Sequence, residues 1–196
     1  MEHYFSKRPK SKHIEKLVFY RINSDEFKFR TSSSVFSRKK IDRGTDLLIK
    51  KCRIRKGSKI LDIGCGYGAV GVVISKRHPD CRVIMTDINE RALSLARKNL
   101  ELNKTEAEVL RSDLYKNIRE RFDVILSNPP QTAGKKVCID IINGAYDYLK
   151  KSGALQLVAR HQKGGKSLSG KMEEVFGNTA TLGRQSGYHL YYSKKS

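Results

Sequence analysis

The stretch Lys59–Gly71, KILDIGCGYGAVG, decides how the rest of the chain is read. A short apolar run (Ile60, Leu61, Ile63) goes directly into the turn Gly64-Cys65-Gly66-Tyr67-Gly68, and an apolar helical pattern follows (Ala69, Val70, Val72, Val73, Ile74). Strand, glycine turn and helix in that order form the first unit of a nucleotide-binding α/β sheet. Glycine admits positive φ and lets a ligand approach the backbone with no Cβ in the way. The helix start adds free N–H groups beside that ligand. Three readings of the turn compete. Gly66, Gly68 and Gly71 satisfy GxGxxG, the dinucleotide pattern. Asp62, just before the glycines, would repel a pyrophosphate but suits a methyl donor carrying a cationic ammonium and sulfonium. A tight turn that binds nothing is the third. The methyl donor is the preferred reading, and the rest of the chain bears on it.

Downstream, a helix over 69–77 stops at His78-Pro79. A second strand, 82–86, ends at Asp87-Ile88-Asn89, and Asp87 lies 19 residues beyond Gly68. A strand-tip carboxylate at about that spacing binds ribose hydroxyls in this architecture, with a capping role as the plainer alternative. Asn89 is a good N-cap for a helix over 90–102, whose stripe is Ala92, Leu95, Ala96 and Leu100. A third strand, 107–110, leads to Asp113, whose carboxylate can accept from an adenine amino group or cap the next turn. Residues 122–126, FDVIL, are nearly all apolar, as for a central parallel strand covered on both faces. A helix over 134–150, a strand over 154–159, a helix over 164–176 and a strand over 188–192 complete the pattern. The alternation predicts an α/β fold, a doubly wound, mostly parallel sheet with ligands at the strand carboxyl ends.

Upstream, Lys16–Ile22 and Glu26–Thr31 flank Asn23-Ser24-Asp25 and predict an N-terminal β-hairpin with Phe27 and Phe29 inward. A polar loop follows with one aromatic, Phe36, and the basic triplet Arg38-Lys39-Lys40; then comes a helix near 46–51 that Asp42 or Thr45 could cap. The length of 196 residues suits one domain. It is divided into a basic arm (1–13), a hairpin-and-helix extension (14–57) and the ligand-binding core (58–196).

Charge is the strongest global signal. Forty Lys and Arg against 20 Asp and Glu leave a formal +20, which favours a polyanionic partner, nucleic acid above all. The four cysteines (Cys52, Cys65, Cys81, Cys138) form no CxxC pair, so neither a zinc site nor a disulfide framework is expected. No apolar run reaches the ~20 residues that cross a bilayer, and residues 1–13 contain no apolar leader segment. The expectation is a cytosolic protein with no membrane and no metal.

The buried strand ends in Ser127-Asn128-Pro129-Pro130. Adjacent prolines cannot extend the ladder, stiffen the loop and leave carbonyls facing the cleft. Asn128 adds one amide oxygen and one NH2. Such a group suits accepting hydrogen bonds from an amino group, which aligns the amine lone pair with an electrophile.

DIGCGYG, the TDIN and SDL strand tips and SNPP together resemble the class I S-adenosylmethionine-dependent methyltransferases that act on amino nitrogen. VFSRKKIDRGTDLLI, and HQKGGKSL with MEEVFGN near the end, are similar to the methyltransferase small domain group, which includes ribosomal RNA guanine-N2 methyltransferases of the RsmC type and compact single-domain archaeal relatives. The resemblance covers Phe27 to the C-terminus. It implies S-adenosylmethionine as cofactor, with Asp62, Gly64, Cys65 and Gly66 at its methionine part, Asp87 at the ribose, Ile88 packed on the adenine, and Asp113 and Leu114 at the adenine edge. It implies that Asn128 with Pro129 and Pro130 holds the target amine beside the cofactor, and that Phe36 and Ser37 lie over the pocket. Gln131 departs from the aromatic or apolar residue that often follows this motif, so a stacking partner for the base must come from elsewhere, such as Phe36. The implied partner is RNA, probed as an unpaired or flipped guanine of ribosomal RNA. Two rivals are a glutamine-amide protein methyltransferase, disfavoured by charge and Gln131, and a non-catalytic RNA-binding or assembly protein with this fold. A nicotinamide oxidoreductase ranks last, because Asp62 is wrongly placed for pyrophosphate.

Overall fold

A computed structural model describes residues 15–32, 41–129 and 134–196. The basic arm, the loop with Phe36, Ser37 and the 38–40 triplet, and Pro130 with Gln131 lie outside the described residues.

Strands β1 (Glu15–Ile22) and β2 (Asp25–Ser32) form the expected antiparallel hairpin. Helix α1 (Arg43–Lys51) follows; it starts earlier than expected because Asp42, rather than Thr45, caps it, its carboxylate accepting from the Gly44 and Thr45 N–H groups. The core then runs β3 (Lys59–Ile63), α2 (Ala69–Arg77), β4 (Arg82–Asp87), α3 (Glu90–Leu102), β5 (Glu108–Arg111), β6 (Phe122–Ser127), α4 (Gly134–Tyr148), β7 (Leu149–Arg160), α5 (Lys166–Phe176), β8 (Ala180–Gln185) and β9 (Tyr188–Lys194).

The seven core strands lie in the order β5-β4-β3-β6-β7-β9-β8. β5, β4, β3, β6 and β7 are parallel, and β9 and β8 add an antiparallel edge. The chain winds from β3 outward to β5, then returns to β6 on the other side. The β3/β6 boundary is therefore the topological switch point, where open α/β sheets bind ligands beyond the strand carboxyl ends.

Two apolar layers sandwich the sheet. Ile60, Val83, Met85 and Leu126 pack with the hairpin and α1–α3; Leu61, Ile63, Ile84 and Ile125 pack with α4 and α5. The two-residue period of a strand explains the division, and it turns Asp62 to the Ile60 side, against the start of α2.

Three expectations need correction. β7 begins at Leu149 rather than 154, and α4 ends two residues sooner than 150. The helix expected from Gly164 begins at Lys166, because Gly164, at φ 96°, belongs to an irregular turn over His161–Gly165. β8, ATLGRQ, lies outside the predicted pattern: it is polar and broken by Gly183, and it is held as a strand by its ladder to β9.

Candidate active site

The strand tips converge as expected. Gly64, Asp87, Ile88, Asp113, Leu114 and Pro129 line one cavity of about 300 Å3. Asp62, Gly64, Cys65, Gly66 and Asn128 line an adjoining recess of about 40 Å3, together with Asp42 and Thr45. Gly64 belongs to both.

The glycine turn is shaped from both sides. Gly64 and Cys65 donate their N–H groups to the Thr86 carbonyl at 2.8 and 2.9 Å. Gly66 donates to Asp87 Oδ2 at 2.9 Å, while Asp87 Oδ1 accepts the Asn89 N–H at 2.9 Å. One carboxylate therefore pins the turn, shapes the start of α3, as the capping alternative expects, and lines the cavity. Gly64 has φ 72°, and a Cβ there would meet no protein atom within 4 Å; it would project into the space left for a ligand. Gly71 is needed for packing instead, since a Cβ would come within 2.1 Å of Met85 Sδ.

Asp62 is 2% exposed and accepts the Gly71 N–H at 2.9 Å. Burial pushes its carboxyl up to about 7; the Gly71 N–H opposes the shift and the neighbouring Asp87 charge adds to it. Burial, with Asp87 and Asp62 beside it, also raises the Cys65 thiol well above its ordinary value, which keeps it protonated and uncharged. Asp113 sits at the cavity rim in an ion pair with Lys116 at 2.5 Å. Leu114 is held at φ 52°, a left-handed conformation that costs a leucine on the order of 1 kcal/mol, and it lines the cavity.

Asn128 shows which of its two ends is available. Its Nδ2 donates to Asp42 Oδ1 and Oδ2 at 3.3 and 3.2 Å and to Thr45 Oγ1 at 2.8 Å. From sequence Asp42 reads only as a candidate cap; a carboxylate that meets an asparagine 86 residues away leaves no local signal. Lys136 and Asp140, from α4, also line the large cavity and were not anticipated. Their spacing of four residues puts them on one helix face.

Beyond Pro129 a second cavity, of about 260 Å3, opens between α4 and the turn after β7. Lys135, Arg160, Lys163 and Tyr188 line it, and the Arg160 guanidinium lies 5.1 Å from the Tyr188 ring centroid. Pro129 lines both this basic cavity and the acidic one. Among the described residues no group of three or more His, Cys, Asp and Glu could hold a metal ion, and no helix is long and apolar enough to cross a membrane.

The donor set fits S-adenosylmethionine. Carboxylates line the recess, where a cationic ammonium is favoured; the Gly64 cradle is open; and buried Thr86 Oγ1, in the wall of the large cavity, has no partner among the described residues. Fold and site define a class I S-adenosylmethionine-dependent methyltransferase. Residues 26–192 match the methyltransferase small domain, and the chain belongs to that family. It is 36% identical to the uncharacterized protein YbxB of Bacillus subtilis over 99% of this chain and 98% of that one. It is 41% identical to Ribosomal RNA small subunit methyltransferase C of Haemophilus influenzae, over 64% of this chain and 39% of that one. A solved structure of a Thermus thermophilus 16S rRNA N2 methyltransferase (RsmC), in complex with AdoMet and guanosine, superposes with a TM-score of 0.81 at 26% identity, covering 96% of this chain and 52% of that one. The chain thus spans about half the length of the RsmC relatives, or less, and nearly the whole of YbxB.

Proposed function

We propose that this protein methylates an exocyclic amine of an RNA base, with guanine N2 of ribosomal RNA as the preferred target. The observation that carries the reading is the junction at Pro129, next to Asn128 of the adjoining recess, where an acid-lined cofactor cavity meets a cavity lined by Lys135, Arg160 and Lys163. Carboxylates suit a cationic donor, and the basic wall suits a phosphodiester that delivers a base. The names of the RsmC relatives support the same class of substrate.

S-adenosylmethionine, when bound, supplies a methyl group on a cationic sulfur that leaves as a neutral thioether. The chain's own work is positioning. Asn128 Oδ1 accepts one N–H of the target amine and turns the nitrogen lone pair toward the methyl carbon. Nitrogen gains a bond and a positive charge in the transfer, then releases one proton to water, so no strong base is needed. Asp87 and the Gly64–Gly66 turn fix the donor side; Lys135, Arg160 and Lys163 hold the backbone of an unpaired or flipped nucleotide.

The test is a comparison of modified nucleosides in ribosomal RNA from cells with and without the gene. Loss of N2-methylguanosine on deletion, restored by the wild-type gene and not by Asn128→Ala, is the expected result. An unchanged nucleoside profile contradicts the RNA reading.

A further inference from the structure

We infer that Asp42, acting with Thr45, is a positioning residue for methyl transfer: it locks the Asn128 amide so that only the oxygen faces the target amine. This rests on the amine-methylation reading above and adds a residue to it. Asp42 lies at the N-cap of α1, where Oδ1 accepts the Gly44 N–H at 2.9 Å and the Thr45 N–H at 3.2 Å. Its Oδ2 accepts the Thr45 hydroxyl. The hydroxyl hydrogen is thereby committed, so Thr45 Oγ1 can meet Asn128 only as an acceptor. Asn128 consequently faces three oxygens, all accepting, at 2.8, 3.2 and 3.3 Å. Only an NH2 group satisfies them; the flipped amide would set its oxygen against a carboxylate. Thr45 is 6% exposed, so water competes poorly there.

The consequence is an acceptor that is oriented before substrate arrives. Both Asn128 N–H bonds are spent on α1, and the carbonyl end remains for the amine. The Asp42 charge also polarises the amide and strengthens that acceptor as positive charge develops on the amine nitrogen. Helix capping and substrate alignment share one carboxylate, which ties the position of α1 to that of the loop after β6.

Asp42→Asn separates the two roles, because asparagine caps a helix about as well as aspartate. The expected result is a thermal midpoint near that of wild type, S-adenosylmethionine affinity within about threefold, and kcat lower by about ten- to a hundredfold. Thr45→Val is expected to lower kcat less. The direct readout is the Asn128 side-chain NH2 resonance in 15N-labelled protein, assigned by its absence in Asn128→Ala; it moves in Asp42→Asn if the lock exists. The swapped pair Asp42→Asn with Asn128→Asp restores one donor facing one carboxylate and is expected to recover at least about tenfold over Asn128→Asp alone. An unmoved resonance, or wild-type kcat in Asp42→Asn, overturns the inference. A loss confined to S-adenosylmethionine affinity also overturns it and gives Asp42 to the cofactor. If wild-type protein methylates no RNA, the functional reading fails, and the resonance still decides whether Asp42 holds the amide.

Discussion

Asp62 shows how far a single residue carries the cofactor site. Its carboxyl is buried against the Gly71 N–H and near Asp87, and burial lifts it to about 7. A carboxyl raised in the folded state binds its proton more tightly there than in the unfolded chain. Its contribution to stability is therefore greatest below the ordinary carboxylate range and declines as pH rises toward 7. Asp62→Asn is expected to raise the thermal midpoint of the ligand-free protein at pH 8, by roughly 2–6 °C, with the difference shrinking toward pH 5. The same variant is expected to bind S-adenosylmethionine at least about tenfold more weakly. In wild type, binding pairs the ionised form with a cation, so affinity is expected to weaken as pH falls from 8 to 6 and binding to release protons. Calorimetry in two buffers of different ionisation enthalpy reads this directly; equal heats contradict it. Asp62, Asp87 and Asn128 were legible in the sequence because each sits where an apolar strand stops, and that place alone puts it at the ligand edge. Asp42 was not, because its second role depends on a partner brought in by the fold of the whole sheet.

At the scale of elements, the hairpin is held by a helix that imitates a strand. Asn103, the cap just past the end of α3, accepts the Lys28 N–H at 2.9 Å and donates to the Lys28 carbonyl at 2.7 Å. Asn99 does the same for Arg30, at 2.7 and 2.9 Å. Four residues along a helix rise about 6 Å, close to the roughly 6.7 Å between alternate strand residues, so two amides match one strand edge. Asn99 also donates to the Tyr67 carbonyl in the glycine turn at 2.8 Å. Removing either amide leaves backbone groups unpaired, at about 1–3 kcal/mol each. Asn99→Ala and Asn103→Ala are both expected to lower the thermal midpoint, but only Asn99→Ala to weaken S-adenosylmethionine binding. Equal effects of the two on affinity would contradict a link from Asn99 to the turn. The hairpin and α3 were each legible from pattern. Their joint was not, although the signal existed: Asn99 on the buried stripe of α3 and Asn103 buried just past its end are polar residues that need partners. The antiparallel β8 was missed for a related reason, since its strand identity comes from its ladder to β9 rather than from its own composition.

At the scale of the molecule, the formal +20 and the basic cavity beyond Pro129 make one statement about the partner. RNA affinity is expected to fall steeply with salt. Lys135→Ala and Lys163→Ala are each expected to weaken RNA binding several-fold and to lower the slope of log affinity against log salt by about 0.7–1, with S-adenosylmethionine affinity unchanged. Fluorescence anisotropy with a ribosomal RNA fragment over a salt series reads both quantities. A slope unaltered in either variant would remove the basic cavity from the RNA path.

The central claim, transfer of a methyl group to an RNA base amine at the Asn128-Pro129 junction, is tested most directly by label. Purified protein is given tritiated S-adenosylmethionine with total RNA and total protein from cells lacking the gene, beside an Asn128→Ala control. Label entering ribosomal RNA, lost in the variant and recovered as N2-methylguanosine after nucleoside digestion, is the expected result. Label entering protein alone, or RNA label that persists in Asn128→Ala, contradicts it.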